Sequence, residues 1–325
     1  MRFGLALVTF AALTLLFGCF GIGGSPPEPE KNESKNISVI IVSQQNQTHE
    51  SGGGIVENKS KEVEFGEDPQ APLGVYFIAL DHNSNAILLK KGDFDMLIDG
   101  GEDGGKIVDF LHAHDVDDIE VLVSTNYDKR NYGGLKDVAD NFEIESLWWS
   151  GQSRDSEYTA LIQKIADKAK EVHVVEENFA KTMDGISFKV LNPPSTKFGD
   201  INNDAIVLRV DDRNLSLLLT SAIHAGAYGT LIARQPHEIK AEIMQAPYFG
   251  VGAGGTSEMG IFLTNTKPKY MIINGGAEES VASGGTRDPL RRMLEQYNIP
   301  SYETFNGGTV RITSSDSGVG IDRSG

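Results

Sequence analysis

Cysteine is almost missing. The 325 residues include one, Cys19, which excludes an intrachain disulfide framework and any metal site built on clustered thiolates. Basic residues are the second shortage. Lys and Arg number 29 against 46 Asp and Glu, for a formal net charge of −17, and no basic stripe runs along the chain. A partner with a phosphate backbone needs clustered Lys and Arg to displace its counterions, so nucleic acid is not expected as a partner. The acidic excess favours solubility and by itself selects no ligand. Apolar residues are in ordinary supply. A composition of 39% hydrophobic and 23% charged residues leaves enough apolar surface for a real core, and this length holds one large layered domain or two small ones.

The N-terminus is set apart from the rest. Phe3 to Gly24 carries no charge, Arg2 supplies a short positive region, and Leu16-Phe17-Gly18-Cys19 resembles the cleavage box of a lipoprotein signal. That resemblance implies lipid attachment at Cys19 after the signal is removed. The other reading of the same segment is an uncleaved membrane anchor, since its apolar length just spans a bilayer. Either way residues 1–24 tether the chain to the outer face of the cytoplasmic membrane, and the membrane is the expected partner. Residues 25–72 are rich in Pro, Ser, Asn and Gln and contain Ser51-Gly52-Gly53-Gly54. Such composition buries too little apolar surface to offset chain entropy, so a flexible polar tether is expected. It carries Asn-x-Ser/Thr sequons at Asn32, Asn36, Asn46 and Asn58. These are candidate glycosylation sites of an exported protein, or chance matches in an Asn- and Ser-rich stretch.

From residue 73 the pattern is that of a folded domain. Short β-like runs at Val75–Leu80, Ala86–Leu89 and Asp95–Ile98 precede a helix over Gly105–His114 and a buried strand at Ile119–Val123. A helix from Leu135, a strand at Glu145–Trp149 and a helix over Asp155–Ala169 follow. The second half repeats the order: strands at Ile186–Leu191, Ala205–Val210 and Leu215–Leu219, a helix over Ala225–Ala233, a strand at Glu242–Gln245, a helix from Ser257, a strand at Tyr270–Ile273, a helix over Asp288–Tyr297 and a strand at Thr309–Ile312. Runs of strands before each helix fit two sheets packed face to face with helices outside, not a doubly wound parallel sheet. The expected fold is a single-domain, four-layered α/β sandwich of αββα type over residues 73–313, with 314–325 a disordered tail.

The run from Leu122 to Leu135, LVSTNYDKRNYGGL, carries the most information. It resembles the metallo-β-lactamase fold, in which a strand ending in Thr leads into His-x-His-x-Asp-His and then Gly-Gly-Leu. Here those ligand positions hold Asn126, Asp128, Arg130 and Asn131. The likeness extends from about Val75 to Ile312 and is nearest the branch found in bacterial competence proteins that internalise DNA. Leu97-Ile98-Asp99-Gly100-Gly101 matches that branch, and in the family the Asp buttresses the metal loop. Its Gly-Gln-Gly-Asp turn is here His82-Asn83-Ser84-Asn85. Leu191-Asn192-Pro193 and Asn202 to Arg209 match the middle strands. Two further ligand segments depart from the family: Ala222 stands where it has a bridging Asp, and Tyr248-Phe249 where it has His-His. Zn²⁺ is bound by imidazole, thiolate and carboxylate, and a guanidinium at Arg130 places fixed positive charge where a dication would sit. Without a cation to lower the pKa of water from about 15.7 to near 7, the scaffold has no obvious nucleophile.

Three other features have bland explanations. His112-Ala113-His114 lies at a helix end on the wrong side of the strand and suits the helix dipole. Gly250 to Gly255 fits a G-x-G-x-x-G pattern without the acidic residue that a dinucleotide site needs about 20 positions on. Trp148-Trp149 ends a strand, so at least one indole is expected to face outward; core packing accounts for the other, with a sugar or peptide platform as the alternative reading. The resemblance with its missing ligands implies a non-catalytic binding or interaction module with no cofactor, acting on an unidentified small ligand or protein. Its pocket residues would be Asp99, Asn126, Asp128, Arg130, Asn131, Ala222, Tyr248 and Phe249. The alternatives are a metal-dependent hydrolase on a remnant set such as Asp99, Asp128 and His224, and a surface component of a DNA-uptake-like system.

Overall fold

Central strands buried on both faces build the architecture. A computed structural model describes residues 70–251, 256–275, 286–306 and 308–324; Cys19, the four sequons and Gly252–Gly255 lie outside them. The strands β1 (Leu73–Phe77), β2 (Ile87–Lys91) and β3 (Phe94–Ile98) form a meander, followed by the helix α1 (Gly104–Ala113) and β4 (Ile119–Ser124). A single turn α2 (Lys129–Tyr132), then α3 (Leu135–Asn141), β5 (Ile144–Trp149), α4 (Ser156–Ala166) and β6 (Glu171–Val174) complete the first half. The second half runs β7 (Ala180–Met183), β8 (Ile186–Asn192), β9 (Val207–Asp212), β10 (Leu215–Leu219), α5 (Ala225–Arg234), β11 (Ile243–Gln245), α6 (Thr256–Thr266), β12 (Tyr270–Ile273), α7 (Asp288–Tyr297) and β13 (Ser301–Glu303). The hairpin β14 (Thr309–Ser315) and β15 (Gly318–Ser324) ends it.

Two sheets result, ordered β15-β14-β1-β2-β3-β4-β5-β6 and β13-β12-β11-β10-β9-β8-β7. Each passes from antiparallel pairs to parallel ones, at β3–β4 and at β10–β11, so the two halves repeat one plan. Successive strand residues point to opposite faces. Met96, Val121 and Trp148 of the first sheet therefore meet Phe188, Val210 and Leu217 of the second in a shared core. Leu97, Leu122 and Trp149 turn the other way, onto Ile107, Leu135 and Tyr158 of α1, α3 and α4. Val207, Leu218 and Met271 do the same toward Tyr228, Phe262 and Leu294 of α5, α6 and α7. The layers are helix, sheet, sheet, helix: an αββα sandwich.

Two expectations need correction. Neither tryptophan is a platform: Trp148 is 0% and Trp149 8% exposed, because β5 lies inside a sheet covered on both faces and its alternation sends one indole to each core. Residues 314–324 are not a disordered tail, since β15 pairs antiparallel with β14 from Thr309↔Ser324 to Ser315↔Gly318. The Gly- and charge-rich sequence of β15 has no buried-strand pattern because it is an edge, paired on one side only. The helices carry ordinary start signals. The Asp155 carboxylate accepts from the amides of Glu157 (2.8 Å) and Tyr158 (3.2 Å) to cap α4, whose Tyr158, Leu161, Ile162 and Ile165 form one buried face. His114 caps the end of α1 and stacks on Phe110 at 3.9 Å, a packing role.

Candidate functional site

The C-terminal ends of β3, β4, β10, β11 and β12 converge, and each strand ends in buried polar residues, among them Asp99, Thr125, Ser221, Gln245 and Asn274. Close backbone contact brings the loops together. The amides of Gly100, Gly101 and Gly134 donate to the carbonyls of Asn131 (2.7 Å), Asn85 (2.8 Å) and Gly101 (2.8 Å). A Cβ on Gly134 would stand 2.2 Å from the Gly100 carbonyl oxygen, so the Gly133-Gly134 step is required by backbone touching backbone. Asp99, Ser221, Tyr248 and Phe249 all have positive φ, between 47° and 59°. Such non-glycine strain costs of order 1–3 kcal/mol each and clusters at functional positions.

Asp99 is fully buried. Its Oδ1 accepts from the Thr125 amide at 2.8 Å, and its Oδ2 from Thr125 Oγ1 (2.7 Å), Asn85 Nδ2 (2.7 Å) and Asn131 Nδ2 (3.1 Å). Burial raises its pKa to about 6, against the lowering effect of those hydrogen bonds. The network then crosses to the second sheet. Thr125 Oγ1 and Ser221 Oγ are 2.7 Å apart, and Asn131 Nδ2 donates to Ser221 Oγ at 3.2 Å. Gln245 Nε2 donates to Asn85 Oδ1 and Asn274 Oδ1, both at 2.8 Å, while its Oε1 accepts from the amides of Thr220 and Ser221. One carboxylate sits among hydroxyls and carboxamides.

Toward the surface an ion pair takes over. Asp128 caps α2 through the Arg130 amide (3.0 Å) and receives Nε of Arg130 at 2.9 Å on Oδ1 and its Nη2 on Oδ2. Burial disfavours ionised Asp128, yet the Arg130 hydrogen bonds and charge outweigh it and hold the carboxyl below the usual range. The same guanidinium donates to Tyr248 Oη at 3.2 Å and lies over the Tyr248 and Phe249 rings, at 5.0 and 5.2 Å from their centroids. His224 meets Tyr248 edge-on at 4.3 Å, and its buried Nε2 has no hydrogen-bond partner. Burial lowers its pKa, Asp200 opposing and Arg130 adding to the effect.

The expected residues thus fall into separate groups. Asp99 joins Asn131 in the buried network, and Asp128 joins Arg130, Tyr248 and Phe249 near the surface. Asn126 does not bond Asp99; its Oδ1 accepts from the Asp128 amide (3.1 Å) and its Nδ2 donates to the Ile201 carbonyl (3.3 Å). Ala222 packs in the apolar cluster with Ile223 and Ala227. Asn85, Thr125, Ser221, Gln245 and Asn274 were not among the expected pocket residues, although for the last four buried polar residues closing a strand are a usable signal. These residues do not fit a dinuclear zinc centre. Asp99 is held by neutral donors, Asp128 by a guanidinium, and among the described residues no group of three or more His, Cys, Asp or Glu is placed to hold a metal ion. Asp99, Asp128 and His224 therefore do not form a remnant ligand set.

No protein-family model and no curated protein sequence matches the chain. Among solved structures it is similar to the metallo-β-lactamase fold protein YhfI from Bacillus subtilis (13% identity, TM-score 0.49, covering 74% of this chain and 99% of that one). It is also similar to Tm1679, a metal-dependent hydrolase of the β-lactamase superfamily (9%, 0.49, 73% and 98%), and to Igni18, a metallo hydrolase from Ignicoccus hospitalis (10%, 0.44, 74% and 98%). At these identities and scores the likenesses concern overall fold and bring no residue roles to this chain.

Proposed function

We propose that this protein is a non-catalytic binding or interaction module on a metallo-β-lactamase-like sandwich, derived from the competence-protein branch and displayed outside the cytoplasmic membrane. One observation carries the reading: the Arg130 guanidinium, bidentate on Asp128 and backed by Tyr248 and Phe249, stands at the position that the family's motif gives to metal ligands. A fixed cation there opposes a dication electrostatically, and its carboxylate partner is already satisfied. The full chain purified without a metal-binding tag is expected to carry well below one equivalent of zinc by elemental analysis. It should show no phosphodiesterase or lactamase turnover with zinc added. Two equivalents of bound zinc, lost together with activity in Asp128→Ala, would overturn the reading.

Display outside the membrane rests on the N-terminal sequence. With Cys19 acylated, two or more chains give stable retention where one is marginal. Cys19→Ser is expected to abolish fatty-acid labelling and leave the uncleaved precursor. Labelling unaffected by the substitution would defeat the lipoprotein reading, and a wild-type chain that retains its N-terminus and never takes up lipid would favour the transmembrane anchor.

A further inference from the structure

In a chain with so many carboxylates, the half-buried lysines find partners: Lys90 at Asp95 (2.8 Å), Lys181 at Glu171 (2.9 Å), Lys189 at Glu238 (3.0 Å) and Lys164 at Asp140. Lys197 is half-buried and does not. Among the described residues its Nζ donates to the Ser150 carbonyl and forms no salt bridge. The nearby Asp204 carboxylate is spent on the amides of Phe198 (2.8 Å), Gly199 (2.7 Å) and Asp200 (3.1 Å). Gly151, with φ of 72°, lets the ammonium approach closely, since a Cβ there would stand 3.2 Å from Lys197 Nζ.

The turn beneath Lys197 leaves further polar atoms unused. Ser150, 1% exposed at the end of β5, has an Oγ without a hydrogen-bond partner, and so does the buried Nε2 of Gln152. Arg154, two residues on, is exposed and pairs with no carboxylate among the described residues; a Cβ on Gly199 would stand 3.5 Å from its Nη2. A hydroxyl, a carboxamide NH₂, an ammonium and a guanidinium thus gather around the β5–α4 turn and the loop over it. The last three only donate, and the Ser150 hydroxyl is free to. Unused buried donors are unfavourable unless something accepts from them.

We propose that Ser150, Gln152, Arg154 and Lys197 form a binding site for a phosphoryl group, either free phosphate or the headgroup of a phosphomonoester. Two cations with two neutral donors suit a tetrahedral dianion better than a singly charged carboxylate. Burial also holds the Lys197 ammonium below its ordinary pKa, Asp204 and Glu176 only partly offsetting it; a bound dianion supplies the counter-charge that the fold leaves out. The site lies outside the Arg130–Asp128 region and does not depend on whether that region binds metal.

The test titrates the full chain with inorganic phosphate, and in a second arm with glycerol 3-phosphate, by calorimetry at low ionic strength. Saturable one-to-one binding is expected, weakened about tenfold or more in Lys197→Met and several-fold in Arg154→Gln. Lys168→Met, at an exposed lysine with no carboxylate partner among the described residues, should bind as wild type. Backbone amide resonances of residues 150–152 should shift on titration, and unchanged thermal unfolding of Lys197→Met separates lost binding from lost fold. Tighter binding of the ester identifies a phosphomonoester headgroup as the occupant; equal binding identifies free phosphate. No saturable binding, unaltered binding in Lys197→Met, or acetate binding as well as phosphate would each overturn the proposal.

Discussion

Asp212→Ala is expected to destabilise the protein by about 4–5 kcal/mol, more than substitution of its partner Lys91. The two side chains join the sheets: Lys91 ends β2 in the first, Asp212 ends β9 in the second, and their 2.8 Å contact is 2% and 1% exposed. The asymmetry follows from what each loses. In Lys91→Met the Asp212 carboxylate keeps Arg213, which approaches it at 3.2 Å, so a loss of about 2–3 kcal/mol is expected. In Asp212→Ala the Lys91 ammonium forms no other salt bridge among the described residues and stays buried with a charge that the interior does not solvate. The double variant Lys91→Met/Asp212→Leu removes both charges and should be more stable than Asp212→Ala. Urea unfolding of the four proteins checks the order, and equal losses in the two single variants would show that Arg213 does not share Asp212.

The buried layers were legible because burial imposes a pattern. Strands such as Phe94–Ile98 and Ile119–Ser124, covered on both faces, read as mainly apolar runs despite Asp95 and Glu120, and Leu111, Leu161 and Leu294 lie on buried helix faces. The strands that escaped, β6, β7, β13 and β15, are the four sheet edges. One side of an edge strand faces solvent, so its sequence is free to be Glu171-Val172-His173-Val174 or Gly-rich. Around the site, resemblance located the loop from Asn126 to Asn131, but the partners of Asp99 could not be read. Asn85, Ser221 and Gln245 lie up to 160 residues from one another along the chain, and only the packing of one sheet on the other brings them together.

Asp99→Ala is expected to cost about 3–5 kcal/mol, and Asp99→Asn about 2 kcal/mol. Alanine strands the Thr125 amide and the Asn85 carboxamide, which point at the Asp99 oxygens, and takes one of its acceptors from Asn131 Nδ2. It must also adopt φ of 59°, a region that Asp and Asn tolerate better than Ala. Asparagine keeps that backbone and one acceptor but sets its own NH₂ against donors. The pH dependence isolates the charge. Burial holds Asp99 at about 6 against an ordinary 3.8, so between those values the folded chain holds a proton that the unfolded chain has lost. Wild-type stability should fall relative to Asp99→Asn by ~1.4 kcal/mol per pH unit over that window and stay level above it. Asp95 and Glu120, raised by burial to about 7 and about 8, add slopes of the same sign to both proteins and cancel in the difference. Urea unfolding of both between pH 4 and pH 7 measures it, and a difference that does not change with pH would mean that Asp99 ionises as freely as an exposed carboxylate. A declining difference would place the charge of this buried aspartate on neutral amides and hydroxyls, which brace the loop at the end of β4 without a cation.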